Sequence, residues 1–153
     1  MTKQTYDFLD GNGPVAAHKH PNGGGWVADS ATVAETAYVG LEAKVYGYAK
    51  VFSNARVFGD ARVYGNAEVS DNAKVFSNAK VTRTPITVNG FPYQAVITDH
   101  HITIGCQQHT YQVWRAEGLD IIQGEGYSES QAKRYLKLML MLAEEHGCDK
   151  PKE

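Results

Sequence analysis

Six histidines and two cysteines are the side chains here able to ligate zinc through nitrogen or sulfur, or to exchange a proton near neutral pH. The densest set runs His100, His101, Cys106, His109, in the order His-His-x4-Cys-x2-His. The Cys-x2-His step matches zinc-ligand spacing, but structural zinc takes four ligands. The fourth would require both adjacent histidines, and adjacent residues on a strand face opposite ways. Cys106 could also act as a nucleophile with His109 as its base, yet a thiol beside Ile104 and Gly105 in an apolar hairpin is more often an inert buried group. His18 and His20 form a His-x-His pair in a Gly-rich stretch, a spacing that can hold a metal and more commonly marks a solvated turn. No catalytic residue, metal site or cofactor is expected from these groups, with His100, His101, Cys106 and His109 standing as the weak metal candidates.

The element that would have to position any such chemistry is a repeat. Valine falls at every sixth position from Val27 to Val81 and alanine at every sixth from Ala31 to Ala79, ten and nine residues without a miss. Side chains alternate along a strand, so Val points inward with its two neighbours outward. Ala, four positions later, also points in beside a corner made of Gly-Asn, Ser-Asn or Gly-Asp. Three corners close a coil of three hexads, and about three coils stack at roughly 4.8 Å spacing. Between Trp26 and Val81 there is no histidine, no cysteine and no insertion. The repeat alone therefore offers no base that titrates near neutrality.

The chain divides into an irregular entry segment (1–25), the hexapeptide repeat (26–84) and a C-terminal part (85–153). In the last, Tyr93 to Thr98 and His101 to Ile104 read as a hairpin turning at Asp99-His100, followed by a short helix near Tyr111 to Glu117. Ser128 with Gln131 makes a capping box for a final helix to about His146, with Ala132, Tyr135, Leu136, Met139, Leu142 and Ala143 on one stripe and Gly147 as its stop. Gly118 to Tyr127 reads as a linker. Tyr111, Trp114 and Arg115 are expected to seal the end of the coil, and the final helix to lie across one of its faces. The expected fold is mainly β: a short, about three-coil parallel β-helix with a C-terminal α+β cap of hairpin plus helices.

The V-x-G-N-A pattern, with Gly24-Gly25-Trp26-Val27 leading in and Thr82-Arg83-Thr84-Pro85 leading out, resembles the hexapeptide-repeat left-handed β-helix proteins of the YdcK-like, phage-type kind. The resemblance spans about Gly23 to Pro85. It implies left-handed winding, assembly as a homotrimer with coils parallel, and a phage or prophage source. Acyltransferases of the resembled fold use a histidine at the subunit interface and a loop that breaks the repeat, and its zinc carbonic anhydrases take three histidines from the coils. Neither set is present in 26–84. A rival reading keeps an acyltransferase-like enzyme acting on coenzyme A thioesters, with His100, His101 or His109 recruited from a neighbouring subunit. A third is a structural spacer or particle component.

The outward positions carry the expected binding residues: Lys44, Tyr46, Lys50, Phe52, Arg56, Phe58, Arg62, Tyr64, Lys74 and Phe76. With three hexads per coil, Tyr46 stacks over Tyr64 and Phe58 over Phe76. Cations interleaved with aromatic rings suit a small anionic ligand, a host protein or a neighbouring subunit. Between Trp26 and Val81 six acidic residues cancel six basic ones, and the whole chain carries 15 basic against 17 acidic residues, which argues against general nucleic-acid binding. No membrane-spanning run or signal-like start is read, and the two distant cysteines give no disulfide framework. The cytoplasm is the expected compartment, that of the host if the source is a phage.

Overall fold

The computed structural model describes residues 3–90 and 92–148, and these fall into two compact units divided between Pro85 and Ile86. The first opens with an antiparallel pair, β1 (Thr5–Asp7) and β2 (Pro14–Lys19), and β2 pairs in turn with β3 (Trp26–Ala28). The entry segment is thus ordered sheet where the sequence reads as irregular. From β3 the chain makes a strand at every hexad: β4 (Thr32–Val33), β5 (Tyr38–Val39), β6 (Lys44–Val45), β7 (Lys50–Val51) and β8 (Arg56–Val57). It continues through β9 (Arg62–Val63), β10 (Glu68–Val69), β11 (Lys74–Val75) and β12 (Lys80–Val81).

These strands stack in parallel as three sheets, giving a three-turn β-solenoid. One face runs β1-β2-β3-β6-β9-β12, the second β4-β7-β10 and the third β5-β8-β11. Valine pairs with valine along every parallel step, as in Val45 with Val63 and Val57 with Val75. Nine of the ten repeat valines are at most 1% exposed, Val33 in the first turn being half-buried, and the nine alanines are buried with them. Backbone N–H groups of one turn donate to carbonyls of the next at 2.7–3.1 Å, for example Lys44 to Ala61 and Tyr46 to Val63. The ladder thereby satisfies the polar backbone that an apolar tube interior cannot.

The corners repeat a positive φ two residues after each valine from Val45 to Val75, at Gly47, Ser53, Gly59, Gly65, Asp71 and Ser77. Glycine takes this conformation without a Cβ penalty, and the three side-chain-bearing corners carry that cost instead. At Gly59 a second constraint applies, because an added Cβ would meet the Ser77 backbone nitrogen of the next turn at 2.9 Å. Gly59→Ala is therefore expected to destabilise the protein by about 1–2 kcal/mol, measured by urea unfolding, with both backbone strain and crowding contributing.

The second unit is a four-stranded antiparallel meander with two helices. Its strands are β13 (Ile86–Val88), β14 (Ala95–Ile97), β15 (His101–Ile104) and β16 (Gln107–Thr110), paired in that order. The expected hairpin is the apolar centre, β14–β15, and the half-exposed β13 and β16 extend it on both sides. Helix α1 (Tyr111–Gly124) is capped by Thr110 and is twice the expected length, so most of the stretch read as a linker is helical. It stays regular through Gly118 because that residue lets Leu136 approach closely: a Cβ there would sit 2.6 Å from the Leu136 side chain. Helix α2 (Glu129–His146) has the Ser128/Gln131 capping box and a left-handed Gly147 stop, as the sequence predicts. Its buried stripe of Ala132, Tyr135, Met139 and Ala143 joins Trp114, Ile122, Ile97 and Ile102 in one core. The expectation that Trp114 seals the solenoid end is corrected: it is 1% exposed inside this unit and donates its indole N–H to the Ile102 carbonyl at 2.6 Å.

Candidate functional site

The ten outward candidates separate by face. On the first face, Tyr46 and Tyr64 stack in parallel at 4.8 Å, and Phe8 of the entry hairpin continues the column onto Tyr46 at another 4.8 Å. Tyr6 stacks on Trp26 at 4.7 Å and meets Phe8 edge-on. Arg62 donates to the Phe8 carbonyl at 3.1 Å, and the Lys44 ammonium lies 5.8 Å from the Tyr6 ring. Tyr46 is only 5% exposed, and burial pushes its phenol above the ordinary range, with Arg62 pulling the other way. Lys44, Tyr46, Arg62 and Tyr64 thus hold the protein's own hairpin in place.

The other two faces keep their cations and rings on the outside of the unit. On the third face Phe58 stacks on Phe76 at 5.2 Å, and the Arg56 guanidinium stands 5.0 Å from the Tyr38 ring and 5.6 Å from Phe58. Lys74, one turn beyond Arg56 in the same column, is exposed. On the second face Phe52 is 39% exposed, and Lys50 lies 3.8 Å from Glu68 of the next turn. Both are solvated, so this ion pair adds little to stability.

The entry segment brings two imidazoles onto the first turn, which the sequence of the repeat does not foretell. His20 is buried; its Nε2 lies 3.0 Å from the Ala34 carbonyl, and its Nδ1 lies 3.1 Å from both the N–H and the carbonyl oxygen of Asn22. These contacts tie the entry segment to the first turn of the solenoid. His18 pairs through Nδ1 with Asp29 at 2.8 Å, both side chains well exposed at 50% and 39%. The two histidines of the His-x-His pair are therefore committed to different partners.

The denser His/Cys set is spread along β15 and β16. His100 lies in the turn before β15 and Cys106 in the turn after it, so the four residues of the strand separate them by about 13 Å. His109 pairs across from Ile102, donates from Nε2 to the Gln107 side-chain oxygen at 3.0 Å, and sits edge-on to Trp114. Among the described residues no group of three or more His, Cys, Asp or Glu side chains could hold a metal ion. Cys106 is exposed rather than buried in an apolar hairpin, because Gly105 turns the chain outward there.

The C-terminal unit holds a cleft of about 640 Å³ at the junction of α1, α2 and the approach to β14. Its floor is aromatic: Tyr127 stacks on Tyr135 at 5.6 Å, and Tyr93 lies 6.4 Å from Tyr127. The Tyr135 hydroxyl donates to the Tyr93 carbonyl at 3.4 Å. The Tyr127 hydroxyl is buried without a hydrogen-bond partner among the described residues; burial raises its pKa, with the Tyr93 backbone pulling the other way. Glu125 and Arg134 bring opposite charges to the rim. Sequence reading passes over this site because Glu125, Gly126 and Tyr127 lie in the supposed linker, Tyr93 at the start of the expected hairpin, Tyr135 on the apolar stripe of α2, and Gln131 and Arg134 on its polar side.

Burial pushes the Tyr135 phenol up to about 12, Tyr127 adding in the same direction. An unfolded chain releases such a proton near pH 10, so between about pH 10 and 12 the native state binds more protons and stability falls as pH rises. The contribution is fully present below pH 10 and is lost on passing 12. A urea midpoint that drops by the equivalent of roughly 1–2 kcal/mol across that window, with the drop flattened in Tyr135→Phe, is the expected result.

Among the described residues no helix is long and apolar enough to cross a membrane. No protein-family model, curated protein or solved structure matches the chain.

Proposed function

We propose that the protein acts by binding and not by catalysis, as a homotrimer of left-handed, hexapeptide-repeat β-solenoids whose second and third faces meet those of neighbouring subunits. The observation that carries this reading is the division of labour among the faces: the entry hairpin covers the aromatic column of the first, while Tyr38, Arg56, Phe58, Lys74 and Phe76 of the third and Phe52 of the second remain outward. A cyclic trimer of three-sided prisms buries two faces per subunit, the number left here. On the third face Arg56 and Lys74 present cations, and Phe58 and Phe76 present rings, on successive turns, which suits a cation of one subunit to a ring of the next. The crevice between subunits, edged by Lys50, Arg56 and Lys74, would receive a small anionic ligand or a segment of a host protein. A cytoplasmic setting and a phage or prophage source accompany this reading through the family resemblance alone.

Sedimentation equilibrium tests it directly. The wild-type chain of 16.8 kDa should run as a species of about 50 kDa. The double variant Phe58→Glu/Phe76→Glu should run as a monomer with unchanged β-sheet circular dichroism. A monomeric wild type, or a trimer indifferent to both charges, removes the reading. The rival enzyme needs an imidazole able to reach a thioester, and the exposed His18–Asp29 pair is the one oriented toward solvent on the solenoid; a thermal-shift screen with coenzyme A derivatives reports on it separately.

A further inference from the structure

We propose that the cleft of the C-terminal unit binds a small zwitterion with a flat aromatic body, of the aromatic amino-acid class, with Arg134 holding its carboxylate and Glu125 its ammonium. This site belongs to the C-terminal unit alone, and the inference does not rest on the proposed trimer. At about 640 Å³ the cleft falls in the range of small-molecule sites, and like them it combines an aromatic lining with a few convergent polar groups. Tyr93 and the stacked Tyr127–Tyr135 pair supply ring faces for a planar guest.

The charges choose among guests. Arg134, on the second turn of α2, lines the cleft and forms no ion pair among the described residues. Glu125, the C-cap of α1, also lines it; one carboxylate oxygen accepts from Gln107 at 3.0 Å. The two opposite charges share one cleft without pairing with each other. A purely anionic guest would meet Arg134 favourably and Glu125 unfavourably, and a cation the reverse, while a guest carrying both charges satisfies both. Gln131 also lines the cleft, and its side-chain oxygen is engaged in the capping box.

The test is calorimetric titration of the full chain with three matched probes: L-tryptophan, indole-3-propionate, which lacks the ammonium, and tryptamine, which lacks the carboxylate. Tryptophan should bind tightest, and loss of either charge should weaken binding about tenfold. Arg134→Gln should weaken tryptophan and indole-3-propionate by about that factor and leave tryptamine unchanged; Glu125→Gln should do the mirror image. Both positions are at the surface, and a glutamine at 125 can still accept from Gln107, so helical circular dichroism should be preserved. Absence of binding by all three probes overturns the proposal, as does equal binding of all three, which would mark an apolar cleft alone. Indole-3-propionate matching tryptophan would also overturn it, leaving a plain anion site, and so would tryptophan affinity indifferent to both substitutions.

Discussion

Val57→Asp should unfold the solenoid, while Arg56→Asp, one residue away, should cost little. Val57 is fully buried and stacked between Val39 and Val75, its side chain surrounded by the apolar interior of the tube. A carboxylate there has no counter-ion and no donor within the valine and alanine lining, so it either remains charged at a cost of several kcal/mol or takes up a proton with its pKa driven upward. Either way the loss should exceed about 4 kcal/mol, close to the whole stability of a typical domain. Arg56 points out and is exposed, so its replacement removes only ring contacts with Tyr38 and Phe58, an effect of about 1 kcal/mol. The chain has two tryptophans, and Trp26 lies in the solenoid unit. In a Trp114→Phe background its fluorescence reports on that unit, and a Val57→Asp protein with native Trp26 emission and an unchanged urea midpoint would show that the valine register does not line the interior.

The same register explains what could be read before any coordinates. A residue repeated without a miss at a fixed interval has one geometric solution for its inward face, and the capping box at Ser128 is likewise a local rule with a local consequence. What escaped reading depends on contacts between distant segments. The entry hairpin does have a signal: Tyr6 and Phe8 alternate, and Asp10-Gly11-Asn12-Gly13 then supplies a turn before β2. That it seals the first face follows only once Tyr46 and Tyr64 are in a column for Phe8 to join. In α1 the stripe of Trp114, Gly118 and Ile122 continues the helical period, but a glycine in that register reads as a break until Leu136 is seen to need the space. The strands β13 and β16 are edges, half-exposed and in β16 made of Gln, Gln, His and Thr, so their membership of the sheet comes from pairing partners and not from their own hydrophobicity. The candidate residues followed the same rule: their outward direction was readable, and the question of which face the protein keeps for itself was not.

The second large effect belongs to the residue whose role changed most between sequence and structure. Trp114→Ala should destabilise the C-terminal unit by about 3–5 kcal/mol, because it empties the largest fully buried side chain of the protein from the centre of a core that α1, α2 and β15 all share. Part of the cost is the lost bond to the Ile102 carbonyl, and part is the ring edge that His109 packs against. Trp114→Phe separates these: it keeps most of the volume and loses the N–H, so about 1–2 kcal/mol is expected. Had Trp114 served as a cap on the solenoid, Trp114→Ala would loosen the coil and leave the meander and helices intact. Hydrogen exchange distinguishes the two cases. The amides of β14, β15 and α2 should lose protection in Trp114→Ala while those of the solenoid ladder, such as Lys44 and Tyr46, keep theirs, and the opposite pattern would return this tryptophan to the role the sequence suggests.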